Sequence, residues 1–222
     1  MVRTLSADGD DPLLRASLAL AAGQVIAHPT ETVFGLAVDP FHPAAMARLL
    51  ELKGGGARKG FILLIPDPSW LPRLITPPAP LARTLMERFW PGPLTLVLPA
   101  RSGLPVPVTG GSGWVALRHS SSPLVAGLMR LWQKPLASTS ANPGGQPTAC
   151  SAAAVRRQWG GRIAVVLEGE VATEAQPSTL LQVADDRVYL LREGALALAY
   201  LQATLPELRR CMVDPAHTPT TG

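Results

Sequence analysis

Cysteine occurs twice in 222 residues, at Cys150 and Cys211, too sparsely for a disulfide framework or a zinc cluster. No apolar run reaches the roughly 18 residues that a membrane-crossing helix needs. The opening stretch MVRTLSADGDDPLL lacks the basic flank of a signal peptide, so the expectation is a cytoplasmic protein with no membrane association. Aromatic residues make up 5% of the chain, and the tryptophans sit within or beside apolar segments, whereas RNA-binding surfaces interleave exposed aromatics with cations. Neither standard phosphate motif is present. A Walker loop needs Gly-Lys followed by Ser or Thr, but Lys59 precedes Gly60 and Phe61, and the dinucleotide pattern would need glycine at Lys59. Acidic residues and histidines form no cage-like cluster, so no protein-built metal site is expected.

What is present points to a packed enzyme-like domain. A hydrophobic fraction of 47% in a chain of this length supports one substantial core. The formal charge of +4 is compatible with a nucleotide or RNA partner without requiring either. GQVIAHPT reads as a strand stopped by Pro29, and PAAMARLLELK as a helix with Pro43 in its first turn. FILLIP, PLTLVLPA and WVALRH read as strands, and SSPLVAGLMRLW as a helix capped by Ser122. The alternation continues through strand KPLAST, helix SAAAVRRQW, strands RIAVVLEG, STLLQV and VYLLREG, and a last helix from Ala195 toward Leu205. It predicts an α/β fold in a single domain over residues 12–204. Residues 1–11 and 211–222 are expected to be flexible termini.

Three stretches gather polar groups at strand ends, where open α/β sheets usually bind ligands. STSAN, Ser138 to Asn142, leaves an apolar strand; Thr30 and Thr32 follow the first strand in HPTET; Ser178 and Thr179 enter one in QPSTLL. Each stretch alone reads equally as a hydrogen-bonded turn. With Arg118 and Arg192 beside them, they form a hydroxyl-rich, cation-flanked set suited to a nucleotide and a small carboxylate. The loop ELKGGGARKGFILLI adds Lys53, Arg58 and Lys59 among glycines, and reads either as an anion site or as a solvated connection. His28 and His119 lie near these blocks and are read as structural.

Taken in order, HPTETVFGL, LLELK, WPGPLTLVLPA, ALRHSSSPLV, PLASTSANPGGQPT, PSTLL and LLREG resemble the successive blocks of the YrdC-like threonylcarbamoyl-adenylate synthase family, in its short bacterial form. The resemblance implies a twisted open mixed sheet with flanking helices around a basic central cavity. It implies a nucleotidyltransferase that makes threonylcarbamoyl-AMP and pyrophosphate from L-threonine, bicarbonate and ATP. Partner proteins would pass the product to an adenosine of tRNAs reading ANN codons, giving t6A. Mg²⁺ would arrive with ATP. Carried onto this chain, Lys53, Arg58, Ser140, Asn142, Thr148 and Arg192 would serve ATP, with Lys53 and Arg58 catalytic. Thr30, Thr32, Lys59, Arg118, Ser138 and Ser178 would serve threonine. One departure stands out: the resemblance expects arginine and proline at Gly55 and Gly56, and Arg58 is read as the substitute cation. Two other functions are weighed: an RNA-binding module of the same fold without turnover, and a carbamoyl-handling module like the hydrogenase-maturation proteins. The second lacks its Cys-x-x-Cys zinc segments here.

Overall fold

The computed structural model describes residues 11–55, 60–143 and 146–213. Ten strands form one mixed sheet among these residues: β1 (Ile26–His28), β2 (Gly35–Val38), β3 (Ile62–Leu64), β4 (Leu94–Pro99), β5 (Trp114–Arg118), β6 (Leu136–Ser140), β7 (Val165–Val166), β8 (Thr179–Ala184), β9 (Arg187–Arg192) and β10 (Met212–Val213). The order across the sheet is β10-β9-β8-β4-β5-β3-β6-β2-β1-β7. Parallel pairs (β3 with β5, β4 with β8) alternate with antiparallel ones (β4 with β5, β3 with β6). The helices are α1 (Pro12–Ala21), α2 (Pro43–Leu52), α3 (Leu71–Leu74), α4 (Pro80–Phe89), α5 (Val106–Thr109), α6 (Pro123–Trp132), α7 (Ala152–Trp159), α8 (Leu198–Thr204) and α9 (Leu208–Cys211).

Local chemistry sets the helix ends. Asp11 accepts from the Leu13 N–H at 2.9 Å ahead of Pro12, and Ser122 accepts from the Val125 N–H at 3.4 Å ahead of Pro123. Each side chain satisfies an orphan donor of the first turn. Helix α2 closes with the Gly55 N–H donating to the Leu50 carbonyl (2.9 Å) and the Gly54 N–H to that of Glu51 (3.0 Å). This is a Schellman stop, and the φ of +78° at Gly54 is what a glycine supplies at low cost.

Strand side chains alternate between two faces, and the two faces meet different fates. Leu36, Leu63, Leu96, Leu117, Ala137 and Leu181 point into the larger core, with Met46 and Leu49 of α2, Leu85 of α4, Trp159 of α7 and Leu201 of α8. On the other face, Ile26, Ala37, Leu64 and Leu136 join a second core made with Ala16 and Leu20 of α1 and Leu128 and Trp132 of α6. That second cover does not extend over β5, β4 and β8, where the same face opens into a cavity.

Several features differ from the sequence reading, which did not include helices α1 and α4. Strand β2 was not anticipated. RIAVVLEG contributes only the two residues of β7. The sheet also runs beyond residue 204, because Met212 and Val213 pair in parallel with Val188 and Tyr189; Asp11, the last residue of the 1–11 segment, caps α1. Leu128 is fully buried beneath α6. Leu128→Ala is expected to cost about 2–5 kcal/mol of unfolding free energy, measured by urea titration; a loss under about 1 kcal/mol would mean that α6 is not anchored through this side chain.

Candidate active site

The cavity has a volume of about 800 Å³. Its floor is the alternate-residue ladder of the open face: Gly35, Ser138 and Ser140, Ile62 and Leu64, Ala116 and Arg118, Val97, then Ser178, Leu180 and Gln182. Thr30, Thr32, Asn142, Thr148 and Arg192 line it from the connecting loops and strand ends. Nine of the residues singled out in the sequence therefore share one cavity: Thr30, Thr32, Arg118, Ser138, Ser140, Asn142, Thr148, Ser178 and Arg192. Lys53 stands behind it. Arg58 and Lys59 lie outside the described residues.

At one end, Arg118 is only 4% exposed, so its charge must be met where it stands. It pairs with Glu31 at 2.9 Å, donates from Nη2 to the Thr32 hydroxyl at 3.0 Å and from Nε to the Gly92 carbonyl at 3.3 Å. Burial works to raise the pKa of Glu31, but the Arg118 charge, the Ser120 hydroxyl and the Ser121 N–H outweigh it and hold the carboxyl at about 2. Glu31 was not singled out in the sequence, although it lies inside the HPTET block; its partner Arg118 is far along the chain, so nothing local marks the pair. The Thr30 hydroxyl donates to the Val33 carbonyl (2.7 Å) and accepts from the N–H groups of Thr32 and Val33 (both 3.1 Å). It shapes the loop that presents Thr32.

Beside this cluster, Arg192 donates from Nε and Nη2 to the Ser178 carbonyl, at 3.2 and 2.8 Å. The Ser178 hydroxyl is 2.7 Å from that of Thr95. Burial, then the neighbouring Arg118 charge, lower the pKa of Arg192. Arg192 is an exposed residue next to a like charge, a setting that favours an anion between them.

At the other end, Lys53 extends from the α2 terminus and donates from Nζ to the Ser140 carbonyl at 3.0 Å and to the Asn142 carbonyl. The sequence reading has Lys53 facing phosphate; here the ammonium holds the STSAN turn from behind, half-buried, with its pKa lowered by burial. The Asn142 amide donates to the Gln146 carbonyl, leaving Oδ1 buried without a partner. His28 lies 3.3 Å through Nε2 from the Ser138 hydroxyl. The two meet across Gly35, where an added Cβ would sit 2.8 Å from Ser138 Oγ and 2.9 Å from His28 Nε2. Burial chiefly, against a backbone bond at Pro29 that raises it, lowers the His28 pKa to about 4. Gly55, where the resemblance expects arginine, has φ +74° and nothing within 4 Å of an added Cβ among the described residues; an arginine there would have a strained backbone.

Among the described residues, no group of three or more His, Cys, Asp or Glu side chains is placed to hold a metal ion, and no helix is long and apolar enough to cross a membrane.

A sheet carrying a hydroxyl-lined cavity, with a compensated arginine at one end and a lysine-braced turn at the other, defines a ligand-converting domain for anionic substrates. The chain belongs to the Sua5/YciO/YrdC family, whose model, described as "Telomere recombination", matches residues 18–194. It is 40% identical over 183 residues to a threonylcarbamoyl-AMP synthase of Thiobacillus denitrificans, covering 82% of this chain and 96% of that one. It is 37% identical over 197 residues to the Bacillus subtilis protein of the same name, covering 88% of this chain but 57% of the longer relative. Among solved structures, P. abyssi Sua5 complexed with L-threonine superposes with a TM-score of 0.83 at 33% identity, over 88% of this chain and 57% of that one.

Two outcomes follow from the buried groups. Glu31→Gln leaves Arg118 buried and uncompensated and is expected to cost about 3 kcal/mol, read from denaturant unfolding at neutral pH; an unchanged midpoint would show that the ion pair is not a structural tie. His28 binds a proton more readily unfolded (6.5) than folded (about 4). Its contribution is therefore complete above pH 6.5 and is lost as pH falls through that window, by on the order of 2–3 kcal/mol between pH 7.5 and 4.5. His28→Gln should flatten this part of the stability–pH curve, and an identical curve in the variant would assign the dependence elsewhere.

Proposed function

We propose that the protein is a threonylcarbamoyl-AMP synthase, converting L-threonine, bicarbonate and ATP into threonylcarbamoyl-AMP, pyrophosphate and water. The observation that carries this reading is the placement of Thr32 and Arg118 at one end of a single cavity and of Ser140 and Asn142 at the other. One end suits a small carboxylate with a hydroxyl, the other a run of phosphate oxygens, and relatives at 37–40% identity carry the synthase name.

The chemistry joins two anions. The threonine amine adds to the carbon of bicarbonate or of the carbon dioxide it releases, giving a carbamate; one carbamate oxygen attacks the α-phosphorus and the bond to pyrophosphate breaks. Fixed positive groups and exclusion of water from the labile carbamate supply the acceleration by positioning and electrostatics, without a covalent nucleophile. Arg118 takes the threonine carboxylate through its remaining N–H groups, while Glu31 keeps it oriented. Arg192 stands where it would meet phosphate or carbamate oxygen. Lys53 fixes the carbonyls of the turn that presents Ser140 and Asn142, and would meet a phosphate arriving over that turn by exchanging one of those carbonyls for it. Mg²⁺ carried by ATP would share the neutralisation. Arg58 and Lys59 complete the proposed cation set from outside the described residues. Transfer of the product to tRNA by partner proteins, and any direct tRNA contact, belong to the same proposal. The aromatic side chains on the cavity are Phe61 and Trp114, too few for the stacking platform of an RNA-binding module.

The decisive measurement incubates purified protein with ATP, Mg²⁺, bicarbonate and labelled threonine and looks for threonylcarbamoyl-AMP; none formed removes the proposal. In Arg118→Lys the ammonium still neutralises Glu31 but loses the planar fork, so KM for threonine is expected to rise roughly tenfold or more with KM for ATP within about twofold. Equal rises for both substrates would count against a direct carboxylate contact.

A further inference from the structure

One polar pair marks the seam between the second core and the cavity. On β1, Ile26 lies in that core, and His28, two residues on, continues the same face. On β6, Leu136 lies in the core and Ser138 lines the cavity. His28 is fully buried, outside the cavity wall, and its Nε2 is 3.3 Å from the Ser138 hydroxyl oxygen. That hydroxyl has no other hydrogen-bond partner among the described residues. Strand β2 runs between β1 and β6, so the two side chains meet only because the intervening Gly35 has none. Gly35 is not among the glycines of positive φ, and the space, rather than the backbone, requires glycine there.

An imidazole and a hydroxyl can share one hydrogen bond in two ways, and the choice decides what Ser138 offers the cavity. Burial holds the His28 pKa at about 4, so near neutral pH the ring is uncharged and one nitrogen alone carries a proton. Nδ1 is buried without a partner at full hydrogen-bonding geometry, and the backbone contact that raises the pKa comes from Pro29. Proline has no N–H, so that contact is its carbonyl, which draws the ring proton to Nδ1 and would repel a bare lone pair. Nε2 is then an acceptor. The Ser138 hydroxyl donates its single proton to it, and the serine lone pairs are left for the cavity.

We infer that His28 is a positioning residue: it fixes the Ser138 hydroxyl as an acceptor facing the cavity, set to hold an N–H of the substrate amine rather than an anionic oxygen. This rests on the activity proposed above. Carboxylate and phosphate oxygens are acceptors and gain nothing from a second acceptor, whereas the threonine nitrogen is a donor as an amine and keeps one N–H in the carbamate. A hydroxyl free to rotate would turn its proton toward those oxygens; one tethered from behind cannot. Arg118 has only donors, so opposite polarities distinguish the two ends of the amino acid.

The test measures binding of L-threonine and of 3-hydroxybutyrate, which lacks only the amine, by calorimetry to the wild type, His28→Phe, Gly35→Ala, Ser138→Ala and the double variant His28→Phe with Ser138→Ala. Gly35→Ala drives a methyl between the partners, 2.8 Å from Ser138 Oγ and 2.9 Å from His28 Nε2, and gives a second reading if His28→Phe fails to fold. Threonine affinity is expected to fall roughly tenfold or more in each variant, with 3-hydroxybutyrate within about twofold. The double variant should bind threonine as Ser138→Ala does, because His28 acts through that hydroxyl. Nitrogen NMR of the wild type at neutral pH should find the His28 proton on Nδ1. A proton on Nε2, threonine binding unchanged in the variants, the two ligands weakened in step, or losses that multiply in the double variant would each overturn the inference. If the wild type makes product but the variants bind threonine normally, the role of His28 falls and the activity stands. If no product forms while the amine-selective loss appears, the role stands and the proposed activity falls.

Discussion

A guanidinium that is nearly buried cannot shed its proton, so the structure around Arg118 has to supply fixed acceptors, and much of the fold is arranged to do so. Glu31 answers the charge, and the Ser120 hydroxyl and Ser121 N–H answer Glu31. The Ser122 N–H then donates to the Ser120 hydroxyl, and the Ser122 side chain caps α6 through Val125. A line of hydrogen bonds therefore runs from the charge in the cavity to the helix that roofs the second core. The loop after β1, the end of β5 and the start of α6 are held by one group, which is why a residue proposed to bind substrate is also a keystone of packing.

The cavity itself follows from a mismatch of lengths. Helices α1 and α6 have ten residues each, about 15 Å at 1.5 Å per residue, and they lie over only part of a sheet ten strands wide. The uncovered part of that face carries hydroxyls, an amide and cations where the covered part carries leucine and isoleucine. Along β6 the change falls within a single ladder, from Leu136 under the helices to Ser138 and Ser140 in the cavity.

That same ladder explains what was legible in the sequence. Hydroxyls at the end of an apolar strand are visible as a change of residue type, so Ser138, Ser140, Ser178 and Thr32 could be gathered before any geometry was known. Strand β2 escaped because VFGLAV has no alternation: both of its faces are buried, and Gly35 reads as a turn residue when its actual reason is the contact of His28 with Ser138. The carbonyl partners of Lys53, 87 and 89 residues away, were not legible because nothing local reveals them. Gln182 gave no signal, since a single polar residue in a strand marks a solvated face as readily as a cavity.

The sheet also ends in a particular way. Among the described residues its two margins are β7 and β10, each two residues long, so every strand from β8 through β4, β5, β3 and β6 to β2 is paired on both sides. Short margins of this kind offer an approaching chain little ladder to extend. A polypeptide that is nearly half hydrophobic thereby carries its own protection against edge-to-edge association, at positions remote from the cavity and open to change without touching its chemistry.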